Sequence, residues 1–183
     1  MHVPTIYGDV RILPYRAVSA DPGAAASIDA IFYGASSNQS FASDAQRQAF
    51  RHRWLGRFLA DDLDHAFVAV HGKEVIGYLV GALDDPARSG RFADIGYFRD
   101  FAHLTPTYPA HLHINLAPAA RSQGIGARLI EAFAAHARAA SCPGMHVVTG
   151  AQSRNVRFYT ACGFTEVGRL ETTKPIVFLG RQL

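Results

Sequence analysis

The segment Leu116-Ala-Pro-Ala-Ala-Arg121-Ser-Gln-Gly124-Ile-Gly126 limits what this chain can become more than any other stretch. Before it, His111 to Leu116 reads as a strand. After it, Gly124 to Ala140 is rich in alanine, and Leu129, Phe133 and Ala137 share one face of a long helix. A strand that passes through a glycine-bearing turn straight into a long helix presents the helix's first N–H groups. Those groups have no carbonyl partner in the helix and sit at its positive end. Glycine there lets a ligand approach the backbone, so the segment reads either as a phosphate cradle or as a purely structural turn.

The rest of the chain supplies the elements around this unit. Val10 to Tyr15 is a strand, and Asp21-Pro22 starts a helix with an N-cap followed by proline. Ile28, Ile31 and Phe32 form its buried face. Ser43-x-x-Gln46 fits a capping box at the start of a second helix, where Phe50, Trp54 and Phe58 recur as one apolar stripe. Core packing is the commoner use of such a stripe, a partner surface the rarer one. Arg47, Arg51, Arg53 and Arg57 lie on the same helix and read as a solvated face. His65 to Val70 and Glu74 to Leu83 form a hairpin around His71-Gly72-Lys73. Asp84 to Pro109 is a long insertion with aromatic residues, a composition that points to a functional loop. Met145 to Thr149 is a strand, Asn155 to Cys162 a short helix stopped by Gly163, and strands Thr165 to Leu170 and Pro175 to Leu179 close the chain. The predicted fold is a mixed α/β domain spanning residues 1–183, with a mostly antiparallel sheet and helices on both faces.

Bulk properties narrow the function. A net charge of +3 spread along 183 residues does not call for nucleic acid. Two cysteines, Cys142 and Cys162, do not make a disulfide scaffold. No apolar run approaches the ~20 residues of a membrane span, and the N-terminus lacks a continuous apolar signal region. A cytoplasmic protein, monomer or homodimer, is the expectation. Two nucleotide-binding readings of the turn fail on residues. A Rossmann fingerprint needs a third glycine or alanine where Leu129 stands, and an acid ending the next strand, which Met145 to Thr149 lacks. The Walker pattern needs Gly-Lys-Ser/Thr, which is absent.

Arg121-x-x-Gly124-x-Gly126, preceded by Leu116-x-Pro118, resembles the acetyl-CoA signature of the GNAT acetyltransferases. Asn155-Val-Arg-Phe158-Tyr159-Thr-Ala-Cys-Gly163-Phe164 is similar to the downstream segment of that family, in the same order and spacing. Val75-Ile-Gly77-Tyr78, Tyr108-Pro-Ala-His-Leu-His-Ile and Val177-Phe-Leu-Gly180-Arg181 also resemble the acetyltransferase-like C-terminal domain of O-GlcNAcase. The resemblance implies acetyl-CoA as cosubstrate, an amine acceptor, no metal, and direct transfer in a ternary complex. By the same resemblance, backbone groups of Ile114, Asn115 and Leu116 hold the pantetheine arm. Arg121 belongs to the signature, and N–H groups of Ser122, Gln123, Gly124, Ile125, Gly126 and Ala127 take the pyrophosphate. Asn155 bonds the pantetheine side, and Tyr159 protonates the leaving thiolate.

The base stays open. His111 and His113 alternate along one strand with Asn115, and a histidine pair on this strand is similar to that of arylalkylamine N-acetyltransferases, shifted by one residue. His113 is therefore the candidate base, against a packed histidine or, less favoured, half of a metal site. Asp84, Asp85, Asp94 and Asp100 would suit a cationic acceptor or serve as solvated loop acids. Three functions compete: an active N-acetyltransferase, an acetyl-CoA-binding but catalytically idle relative, and an interaction domain acting through the Phe50/Trp54/Phe58 helix.

Overall fold

The computed structural model describes residues 7–38 and 40–183. In chain order the elements are β1 (Val10–Pro14), α1 (Pro22–Ala35), α2 (Asp44–Arg51), a π-helical turn (His52–Gly56), α3 (Arg57–Asp61), β2 (Phe67–His71) and β3 (Glu74–Ala82). Then come α4 (Gly96–Asp100), β4 (Ala110–Leu116), α5 (Ile125–Ala139), β5 (Gly144–Gly150), α6 (Asn155–Ala161), β6 (Thr165–Leu170) and β7 (Ile176–Gln182). The predicted elements are present, with ends moved by a few residues. Tyr15 leaves the first strand for a 3-10 turn, and a second 3-10 turn (Leu63–His65) precedes β2. The class is mixed α/β with mostly antiparallel pairing.

Local chemistry explains the boundaries. Asp21 caps α1 by accepting the Gly23 N–H at 2.9 Å. Ser43 caps α2 through the Gln46 N–H, and Gln46 reaches back to the N–H of Ala42 at 2.7 Å, one residue before the cap. Gly72 turns the β2–β3 hairpin at φ +60°, a backbone shape that favours glycine.

The chain forms two compact units. One comprises Met1–Gly81 and His113–Phe133. It contains β1, β2, β3 and the second half of β4, in the order β1-β2-β3-β4. β1 and β2 pair antiparallel from Val10↔His71 to Pro14↔Phe67, and β2 and β3 antiparallel with a bulge at Ala69/Val70. Its core includes Ile28, Leu55, Phe58, Val68, Ile76, Tyr78 and Leu129, each at most 1% exposed.

The other unit comprises Ala82–Leu112 and Ala134–Leu183, with strand order β4-β5-β7-β6. Here β4 pairs parallel with β5 at Ala110↔Met145 and His111↔His146, and β5 pairs antiparallel with β7 over its whole length. The long insertion is part of this core rather than an open functional loop. Phe92 and Phe98 pack on the His111 ring at 4.5 and 5.1 Å, and Phe101 on Phe178 at 5.3 Å. Burying these rings turns a long connection into ordered wall.

At Gly144, the first residue of β5, a Cβ would stand 2.6 Å from the Thr107 carbonyl oxygen and 2.8 Å from the Tyr108 ring. Backbone on one side leaves little room to relax. Gly144→Ala is therefore expected to destabilise the protein by about 1–3 kcal/mol, the usual cost of overpacking. A fall in Tm of several degrees by circular dichroism would register it; an unchanged Tm would show that the insertion yields easily.

Candidate active site

β4 runs from a packed beginning to an open end. His111, 2% exposed, belongs to the packed beginning. His113, two residues on, is half-buried and faces different neighbours. Its ring lies 5.3 Å from both Trp54 and Phe58, edge to face. Two identical residue types on one strand thus enter different environments.

His113 and Asn115 form one wall of a cavity of about 340 Å3, completed by Phe32, Ala35, Ser36, Ser37, Phe50 and Trp54. The end of α1 supplies Phe32 and Ala35. Asn115 is held by donating its side-chain N–H to the Tyr78 hydroxyl at 2.8 Å. Phe50 and Trp54 come from the apolar stripe that the sequence assigned to core packing. Only Phe58 is fully buried; the other two are half-buried and line the cavity. The π-helical turn is the reason. Its closing bond runs from the Arg57 N–H to the His52 carbonyl, five residues back, which inserts an extra residue into the α2–α3 run. Nothing in the four-residue spacing announces this. The one local signal is Gly56, an interior glycine in a helical pattern.

The arginines of this helix are a solvated row only in part, with Arg47 and Arg53 exposed. Arg51 pairs with Asp29 at 2.7 Å, Arg47 lies over the Tyr33 ring at 3.8 Å, and Arg57 is only 9% exposed. Desolvation between the aromatic rings, aided by the positive charge of Arg57, lowers the His113 pKa to about 4. His113 is therefore neutral at pH 7.

Beyond Asn115, the Ala117 N–H donates to the Ile76 carbonyl at 2.9 Å, and Arg121 Nε donates to the Leu116 carbonyl at 3.2 Å. Ser122 and Gly124 then take positive φ values of 61° and 74°. Open space surrounds the position a Gly124 Cβ would fill. Among the described residues, the backbone N–H groups of Ser122 to Ala127 donate to no protein oxygen, and α5 begins immediately. A turn of outward N–H donors at the positive end of a helix of fifteen residues has the chemistry that a phosphate group needs. The donor set of Ser122, Gln123, Gly124, Ile125, Gly126 and Ala127 thus fits the diphosphate of a coenzyme.

The family model of the acetyltransferase (GNAT) family matches residues 32–164. The chain belongs to this family. The GNAT fold is also what solved structures share with it. The chain described as SsHAT is 21% identical with a TM-score of 0.72, over 96% of this chain and 98% of that one. A ribosomal-protein-alanine N-acetyltransferase from Brucella melitensis is 20% identical with a TM-score of 0.60, over 96% and 100%. A variant of agmatine N-acetyltransferase is 12% identical with a TM-score of 0.68, again over 96% and 100%. This GNAT chain is an acetyltransferase.

In the second unit, Tyr159 lies on α6, buried and packed on Phe158 and Phe164 at 5.1 and 5.5 Å. Burial, aided by Cys162, raises its pKa above the ordinary phenol value, so it carries its proton at neutral pH. Asn155 is exposed at the start of α6, its N–H donating to Ser153 Oγ at 3.1 Å. The insertion acids are engaged at Asp84, with Arg91 at 2.6 Å, and at Asp85, with Arg88 at 3.5 Å. No described helix is long and apolar enough to cross a membrane.

The lowered His113 pKa ties stability to pH. The unfolded chain takes up this proton near pH 6.5, while the folded chain resists it until about pH 4. Stability is therefore lost as pH falls through that window, by about 2 kcal/mol at pH 5 from this residue. His113→Gln should lose roughly 4–8 °C less in Tm than the native protein between pH 7 and pH 5, by scanning calorimetry. Parallel losses in both proteins would show that His113 is well solvated.

Proposed function

We propose that residues 1–183 act as one acetyl-CoA-dependent N-acetyltransferase domain that transfers acetyl to a primary amine by direct attack in a ternary complex. The observation that carries this reading is the continuity of β4 into α5. One stretch of backbone presents His113 and Asn115 to a cavity and, a few residues later, a row of unpaired N–H donors.

The roles follow that order. The turn from Ser122 to Ala127, which follows the Arg121 side chain's bond to the Leu116 carbonyl, would bind the diphosphate. The backbone of Ile114, Asn115 and Leu116 lies beyond the two residue pairs that tie β4 to β5, and would receive the pantetheine arm as an added strand. A backbone N–H near Ile114 would polarise the acetyl oxygen. Asn155 would bond the pantetheine arm as well. Acetyl-CoA supplies the activated acyl group and a thiolate leaving group.

His113 suits a particular version of base catalysis. A base with a pKa of about 4 cannot strip a free alkylammonium near pKa ~10. The amine must therefore enter in its neutral form. His113 accepts its N–H as a hydrogen bond and takes the proton once attack on the acyl carbon has acidified it. Tyr159, kept protonated by burial, is the proton donor to the thiolate. Neither cysteine is needed as a nucleophile.

Gly126→Glu should abolish acetyl-CoA binding by calorimetry while the circular dichroism spectrum stays native, since bulk and negative charge would occupy the phosphate cradle. Undiminished affinity would remove the turn from the assignment. Tyr159→Phe should keep acetyl-CoA affinity and lose kcat by a factor on the order of 10²–10⁴, because thiolate protonation matters in the transition state. The loss should shrink with an acyl donor whose thiol is more acidic. Wild-type turnover by the Phe variant would make Tyr159 structural and the mechanism wrong.

A further inference from the structure

The cavity beside His113 is lined unusually for a site that must receive an amine. Of its described lining residues, none carries a formal charge at neutral pH: Phe32, Phe50 and Trp54 supply aromatic surface, Ser36, Ser37 and Asn115 supply neutral polar groups, and Ala35 and His113 complete it. Three charges on the helices around it are engaged. Asp29 pairs with Arg51, and Arg47 stacks on Tyr33. Arg57 contributes positive potential at His113. A second ammonium placed here would meet no carboxylate among these lining residues and an unfavourable field from Arg57. A carboxylate or phosphate would meet no lining cation. Burying either charge unpaired costs several kcal/mol. Aromatic walls, by contrast, reward an apolar body through area and ring-edge contacts. A volume of about 340 Å3 sits at the low end of the ~300–1,000 Å3 found for small-molecule sites.

We infer that this cavity takes a small primary monoamine with a compact aromatic or branched aliphatic body and no second charge, as the acetyl acceptor; its role as acceptor rests on the transfer reading above. Phe50 and Trp54 are its specificity-determining residues, held toward the ligand by the π-helical turn.

Trp54 is the single tryptophan of the chain, so its emission reports on this cavity directly. The full chain is titrated, with coenzyme A present, with 2-phenylethylamine, phenylalanine, 1,4-diaminobutane and a lysine-containing peptide. N-acetyl product is measured by mass spectrometry in parallel reactions that contain acetyl-CoA in place of coenzyme A. The expected result is a saturable blue shift with 2-phenylethylamine and at least tenfold weaker binding of the other three. Phe50→Asp, at a half-buried position, should move the preference at least tenfold toward 1,4-diaminobutane, a reversal that mere loss of packing would not produce. Saturable 2-phenylethylamine binding without acetylated product keeps the site and its ligand class and removes the transfer reading. Acetylation of the peptide or the diamine with no change at Trp54 keeps transfer and overturns the inference. Equal affinity for all four probes, or no saturable change with 2-phenylethylamine, overturns it as well.

Discussion

The Arg121 guanidinium donates to the Leu116 carbonyl at 3.2 Å, and much of the site depends on that bond. It fastens the far side of the turn to the end of β4, while the Ala117 N–H fastens the near side to Ile76. With both ends fixed, Ser122 and Gly124 can hold left-handed backbone conformations, which place successive N–H groups on the outside of the turn. α5 then adds the field of an aligned helix to those donors. The charge on Arg121 is thus used to shape backbone.

The same strand sets the acceptor side. Side chains alternate along β4, so the positions that put His113 and Asn115 on the cavity wall are fixed by the backbone that leads into the turn. Gly77 on β3 belongs to this arrangement. A Cβ there would collide with the Leu116 side chain and stand 3.4 Å from the Asn115 carbonyl oxygen, so the bare glycine lets β4 approach closely. Tyr78, its neighbour in sequence, takes the Asn115 amide.

What could be read from the sequence was local. Asp21 and Ser43 announce their helices because a short polar side chain next to a helical pattern has one good use, and both cap as expected. The glycine-bearing turn was legible because φ angles and unpaired N–H groups follow from a few adjacent residues. The cavity was not legible. Phe32, Trp54 and His113 are far apart in sequence, and nothing in their spacing says that they share a wall. The aromatic insertion misled for a related reason: a long connection with phenylalanines looks like a functional loop until the rings are seen packed on His111 and Phe178. The arginine row misled in part because charge on a helix suggests water, whereas Arg51 pairs with Asp29, Arg47 lies over Tyr33 and Arg57 is buried.

The π-helical turn has a consequence for how such a cavity diversifies. A wider turn holds one residue more than the regular helix would need, so deleting one residue between His52 and Gly56 could restore ordinary helical winding without moving either end of the α2–α3 run. The side chains before and after the turn would keep their faces, while those between His52 and Gly56, Trp54 among them, would be shifted by one position. Phe50 and Phe58 would hold their places, and the cavity would exchange the Trp54 wall for whatever residue then stood there. Acceptor preference in such a lineage could change in a single step by length rather than by substitution. An alignment that scores only residue identity would record that step as a gap.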